Sequence, residues 1–140
     1  MKYYAVIDTN VLVSAMLKRS SVPGNIIALV YSGIIVPLLN TRIVQEYRDV
    51  LMRPKFHFTA EIVNDTLDNF EKMGLYVDSR TVEEHFPDPK DRMFYEVTME
   101  KRRTDNAYLV TGNIRHFPEK PFVVTPRQMI DIIAGDIDRE

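Results

Sequence analysis

"YYAVIDTNVLV", residues 3–13, is an apolar run broken by one carboxylate and two small polar residues. The side chains leading up to Asp8 suit a strand covered on both faces. In an open parallel sheet, ligands bind beyond the carboxyl ends of the strands. An acid that closes the first strand therefore stands on the ligand rim. Asp8 also suits a turn or a helix cap, with Thr9 and Asn10 opening the helix behind it. Which role it plays depends on the residues that join it.

Outward from that stretch, short β-branched runs alternate with helical periodicity, the pattern of an α/β parallel sheet. Strands are expected at 3–8, 34–38, 75–78, 107–111 and 122–124. Pro23-Gly24 leads into a helix over 25–31, and Asn40 or Thr41 caps a helix over 41–53 that Pro54 ends. Thr59 caps 60–73, with Gly74 as its stop, and Asp88-Pro89 starts a helix running to about residue 101. Thr125-Pro126-Arg127-Gln128 reads as a capping box opening a last helix to Gly135. Residues 1–135 are expected to form a single domain, and 136–140 a frayed tail.

The composition is that of an ordinary globular protein, with 45% apolar and 27% charged residues. No apolar stretch approaches the ~18 residues that span a membrane, and no secretory signal is visible ahead of the first strand. The chain has no cysteine, which excludes disulfides, thiol catalysis and thiolate metal sites. A cytoplasmic location is expected. The net charge of −2 gives no global nucleic-acid footprint, although basic residues cluster at Lys101-Arg102-Arg103, at Lys18-Arg19, and at Arg42, Arg48, Arg53 and Lys55.

The polar residues at the strand ends divide between two edges of the sheet. Asn113 follows the fourth strand and reaches the same rim as Asp8, whereas Asp105 precedes that strand and belongs to the opposite edge. Glu46 flanks the apolar stripe of its helix (Ile43, Val44, Tyr47, Val50, Leu51) at roughly 100° per residue, so it leans toward the sheet edge. Asp88 fits an N-cap. Asp91 complements the start of the same helix and shares a face with Phe94 and Thr98. Brought together, Asp8, Glu46 and Asp91 repel one another unless a cation sits among them. An all-oxygen cluster suits Mg²⁺ or Mn²⁺.

Asp8-Thr9-Asn10 after the first strand, Glu46 in the third helix, Asp91 opening a later helix and "YLVTGN" (108–113) on the fourth strand together resemble a PIN domain. "DPKDRMFYEV" (88–97) and "AYLVTGNIRHFP" (107–118) are similar to the bacterial and archaeal branch of toxin components of toxin–antitoxin pairs. The likeness runs from about residue 2 to residue 135. It implies a three-layer α/β/α fold with a central, mainly parallel five-stranded sheet. It further implies hydrolysis of RNA phosphodiesters by water, with Mg²⁺ or Mn²⁺ held by Asp8, Glu46 and Asp91. Thr9, Asn10 and Thr111 take supporting positions. Asp88 and Asn113 are further candidate ligands, Asn113 standing where the family often has a fourth acid. The implied partners are an RNA substrate, an antitoxin protein and a second copy of the chain in a homodimer.

Arg42, Arg48, Arg115 and His116 are candidate substrate contacts, the last two beside the mouth that Asn113 marks. Tyr3, Tyr4, Phe94 and Phe122 are expected in the core. A phosphatase of the haloacid dehalogenase type needs a second aspartate two residues after the first, and the chain has Asn10 there. No glycine-rich nucleotide-binding pattern occurs. The competing reading from another class is a catalytically weak or inactive PIN-like module that binds RNA or an antitoxin, and Asn113 is the residue that favours it.

Overall fold

A computed structural model describes residues 2–139. Five strands, β1 (Tyr3–Ile7), β2 (Ile35–Leu39), β3 (Leu75–Tyr76), β4 (Tyr108–Val110) and β5 (Val123–Val124), form one sheet in the order β3-β2-β1-β4-β5. Every pairing is parallel, with Ala5 opposite Pro37 on one side of β1 and opposite Tyr108 on the other. Ala5, Val6 and Ile7 are wholly buried, as a central strand covered on both faces requires.

The helices are α1 (Thr9–Leu17), α2 (Val22–Tyr31), α3 (Thr41–Leu51), α4 (Ala60–Met73), α5 (Arg92–Lys101) and α6 (Pro126–Asp138). α2 packs on β2 and meets α1, α4 and α6, while α5 lies across β1, β2 and β4. The right-handed rule for parallel crossovers places the connections from β1 through β3 on one face and α5, on the return to β4, on the other. The result is the expected three-layer α/β/α fold. Among the described residues no helix is long and apolar enough to cross a membrane.

The helix ends follow local chemistry. Asn40, not Thr41, caps α3 by accepting from Ile43 N at 2.8 Å. Thr59 caps α4, and Thr125 and Gln128 form the expected capping box on α6. Gly74 joins α4 directly to β3, where a Cβ would lie 2.6 Å from the Phe70 carbonyl oxygen and 2.7 Å from that of Pro37. Three expectations are corrected. α2 begins at Val22 under a Ser21 cap, so Pro23-Gly24 lies inside its first turn. The stretch after Asp88 is a 3₁₀ turn, Pro89–Asp91, and α5 starts only at Arg92. α6 continues past Gly135 to Asp138, so residues 136–138 are helical, tied to the first strand by the Tyr3 hydroxyl donating to Asp136 at 2.8 Å. Met1 and Glu140, the outer limits of the expected domain and tail, lie outside the described residues.

Between β3 and the turn at Asp88 the chain runs as an extended strap over α5. Arg92 donates to the Val82 carbonyl at 2.6 Å, and Glu96 accepts from Val82 N at 2.9 Å. One turn of α5 thus satisfies both backbone groups of Val82. Phe86 is buried against Tyr95 and Phe117. The strap fixes the approach to Asp88 and Asp91 without secondary structure of its own.

Candidate active site

The order β2-β1-β4 reverses the direction of winding between β1 and β4, which opens a crevice beyond their carboxyl ends. Asp8 and Thr111 sit one residue past β1 and β4 at that point. The Asp8 N–H donates to the Val110 carbonyl at 2.9 Å, and Thr111 Oγ1 donates to Asp8 Oδ2 at 2.7 Å. Asp8 is therefore the N-cap residue of α1 by position, yet its side chain makes no capping bond and turns to Thr111 instead. Asn10 spans the two loops, donating to Asp8 Oδ2 at 3.2 Å and accepting from Gly112 N at 3.0 Å. A Cβ on Gly112 would lie 3.2 Å from that Asn10 oxygen, so a glycine lets the loops close.

A cleft of about 380 Å³ opens beside this pair, lined by Asp8, Thr9, Asn10, Glu46, Asp88 and Asp91 with Arg53, Phe56 and Lys90. All four expected acids are brought to one concavity from three places in the chain, Asp88 and Asp91 sharing one turn. Burial raises the Asp8 carboxyl above its ordinary value, against the lowering effect of the Thr111 hydrogen bond, and the Glu46 charge adds to the rise. Burial also raises Glu46, with Lys90 and Arg53 pulling it down. Asp91 is pushed up to about 6, first by burial and then by the charges of Asp8 and Asp88. Asp8, Glu46 and Asp91 thus each feel the charge of another acid of the cleft, the condition under which proton or cation uptake is favoured.

Two buried oxygens in the cleft lack a close hydrogen bond among the described residues: Thr9 Oγ1 has none, and Asp91 Oδ2 has only a long contact. His116 Nδ1 faces Asp91 Oδ2 at 3.5 Å. Unpaired buried oxygens are costly, and a hard cation with oxygen ligands would satisfy them. The donor set fits Mg²⁺ or Mn²⁺. Among the described residues no three acid or histidine side chains lie close enough to hold one ion directly. The cleft is wider than a ready-made three-ligand cage.

Asn113 sits beside the acids rather than among them. Its N–H donates to Thr111 Oγ1 at 3.0 Å, and its side-chain amide lies 2.9 Å from His116 Nε2. His116 therefore stands between Asn113 and Asp91. Three expected substrate contacts are not brought to the cleft. Arg48 donates to Asn64 on α4, Arg42 is exposed and does not line the cleft, and Arg115 lines a separate groove between residues 114–124 and α6. The cleft cations are Arg53 and Lys90. Arg53 lies beyond the end of α3, with extended backbone at the start of the Pro54–Phe56 turn, so the helical spacing of Glu46, Val50 and Arg53 does not by itself place it. The Lys101-Arg102-Arg103 cluster is used locally: Lys101 pairs with Asp105 at 2.8 Å, Arg102 donates to the Ala107 carbonyl at 2.6 Å, and Arg103 pairs with Glu100 at 3.3 Å. Asp105 lies away from the cleft, as expected.

A family model described as "PIN domain" matches residues 4–115, a span that runs from the second residue of β1 past β4 and contains every acid of the cleft. An uncharacterized protein of Methanocaldococcus jannaschii is 26% identical over an alignment of 147 residues, covering 94% of this chain and 92% of that protein. No solved structure matches the chain.

Proposed function

The chain belongs to the PIN domain family, a family generally of nucleases, and on that premise we propose that it is a divalent-metal-dependent endoribonuclease. The observation that carries this reading is the convergence of Asp8, Glu46, Asp88 and Asp91 on one cleft at the strand-order reversal, with Asp91 Oδ2 met only by His116 Nδ1 at 3.5 Å. Asp8 and Asp91 would hold one Mg²⁺ or Mn²⁺, with Glu46 acting directly or through water. Asp88 and Asn113 are at hand as further oxygen donors. Mg²⁺ retains several waters and needs few protein ligands, which suits a cleft that offers no three direct ligands. A divalent ion bound there supplies positive charge to a phosphodiester and a water of lowered pKa for hydrolysis.

The chain's own residues do the rest. Thr111 and Asn10 hold the Asp8 carboxylate in one orientation. Thr9 lines the floor of the cleft. His116 sits between Asp91 and Asn113. Arg53 and Lys90 offset the acids for an anionic substrate. RNA rather than another phosphodiester, the toxin role in a toxin–antitoxin pair, an antitoxin partner, a homodimer and a cytoplasmic setting are part of the same proposal. They are supported by the likeness of 88–97 and 107–118 to that branch of the family.

The test is cleavage of RNA in Mg²⁺ or Mn²⁺. Cleavage that is abolished by chelator and by Asp8→Asn supports the reading, and an Asp8→Asn protein that cleaves as fast as the parent overturns it. A second reading, a PIN-like module that binds RNA or an antitoxin with little catalysis, is favoured by one feature. Asn113 brings no charge, and its amide is engaged by His116. A Mn²⁺ titration showing no ion at millimolar metal supports the binder.

A further inference from the structure

The stretch Arg53-Pro-Lys-Phe-His-Phe58 follows α3 as a 3₁₀ turn, Pro54–Phe56, and ends on His57 at φ 59°. That is the left-handed region, which a non-glycine residue enters at a cost. Phe56 and Phe58, on either side of it, stack with ring centroids 5.9 Å apart and planes at 21°. Phe56 lines the acidic cleft although it is only half-buried, and the Lys55 ammonium lies 5.1 Å from its ring centroid. Arg53 and Lys90 line the same cleft, and neither side chain makes an ion pair or hydrogen bond with another described residue.

We infer that the 53–58 turn is a nucleotide subsite beside the acids, in which Phe56 stacks on a nucleobase while Arg53, Lys55 and Lys90 take the flanking phosphates. Single-stranded nucleic acids are bound by this combination of a cationic track with aromatic side chains. A base offers its face to such a ring only when it is unpaired and out of the helical stack. The subsite therefore selects single-stranded RNA over duplex. The other use of Phe56 and Phe58 is to anchor the turn on the edge of the core, which both rings also touch. Anchoring needs only an apolar side chain, whereas base stacking needs the flat ring.

The inference rests on the nucleic-acid part of the reading above, and binding is measured apart from cleavage. The probe is a short fluorescent single-stranded RNA, its duplex, and versions with one abasic position, all in EDTA. Phe56→Leu is expected to weaken single-strand binding about tenfold, with an unchanged melting temperature. Phe56→Trp keeps the affinity, and an abasic position at the bound base costs the parent the same factor but costs Phe56→Leu nothing further. Arg53→Gln lowers the salt dependence of binding by about one ion. The subsite is overturned if Phe56→Leu binds as tightly as the parent, if duplex binds as well as single strand, or if no RNA is bound. Cleavage in Mn²⁺ with no effect of Phe56→Leu leaves the nuclease and removes the subsite. Phe56-dependent binding without cleavage does the reverse.

Discussion

The buried Tyr47 hydroxyl donates to the carbonyl of Ile7, so the residue after Glu46 is bonded to the residue before Asp8. The bond joins α3 to the end of β1 and sets the separation of two cleft acids from inside the core. Burial and the nearby Asp8 charge raise the Tyr47 phenol, so the tyrosine stays a neutral donor. Tyr47→Phe leaves the Ile7 carbonyl without this donor and should cost about 1–2 kcal/mol in urea unfolding. Metal-dependent cleavage should fall with it.

Thr111→Val should separate orientation from charge. The variant keeps the shape and removes the donor to Asp8 Oδ2, leaving a buried carboxylate short of a partner. Loss of such a supporting bond typically costs about 10–100-fold in metal affinity or activity. Thr111→Ser should restore most of it. Isothermal titration with Mn²⁺ and a cleavage assay check both, and equal Mn²⁺ affinity for Val and Ser contradicts the role.

Without metal, stability should fall as pH rises from about 4 to about 6. The folded Asp91 keeps its proton up to about 6, while the unfolded chain releases it near the usual 3.8. The folded state therefore binds the extra proton in that window and loses this advantage above it. The raised Asp8 and Glu46 act in the same direction. Mg²⁺ or Mn²⁺ should raise the melting temperature more at pH 7.5 than at pH 5, since protons compete for the same oxygens. Scanning calorimetry with EDTA and with metal at the two pH values is the check; an equal gain at both would count against a shared site.

Asn113→Asp adds a carboxylate at the rim beside His116. Tighter Mn²⁺ binding and faster RNA cleavage are expected, both measured against Asn113→Ala. If Asp and Ala behave alike in both assays, position 113 contributes nothing to metal binding.

Asp91→Asn removes the most strongly perturbed acid of the cleft. In EDTA at pH 7.5 it should melt higher than the parent, because a buried charge and its repulsion with Asp8 and Asp88 are gone. The metal-dependent gain in melting temperature should disappear with it. A variant that still gains stability from Mn²⁺ would take Asp91 out of the ligand set.

Much of this arrangement is readable in the chain itself, because it rests on local signals. The apolar run before Asp8 defines a central strand. Asn40, Thr59 and Thr125 are capping residues, and each caps the helix behind it. Tertiary contacts decide the remainder. Arg48 faces away from the cleft because Asn64 on α4 meets it, and no feature of 41–53 contains that partner. Arg115 and His116 are adjacent in a 3₁₀ turn, where successive side chains point about 120° apart. One faces the groove beside α6, the other Asp91. Lys90 reaches the cleft because the strap, clamped at Val82, delivers its turn there. Its position is invisible without α5 beneath it.

The Thr111–Asp8 bond joins residues 103 positions apart, and it bears on how the molecule comes into being. A growing chain exposes Asp8 and its local partner Asn10 early, but the Thr111 donor arrives only when the fourth strand lies beside the first, after the excursion through β2 and β3. Closing a loop of this length costs entropy before the contact returns anything. A nascent or clipped polypeptide ending before Thr111 contains every acid of the cleft but lacks the hydroxyl that orients Asp8.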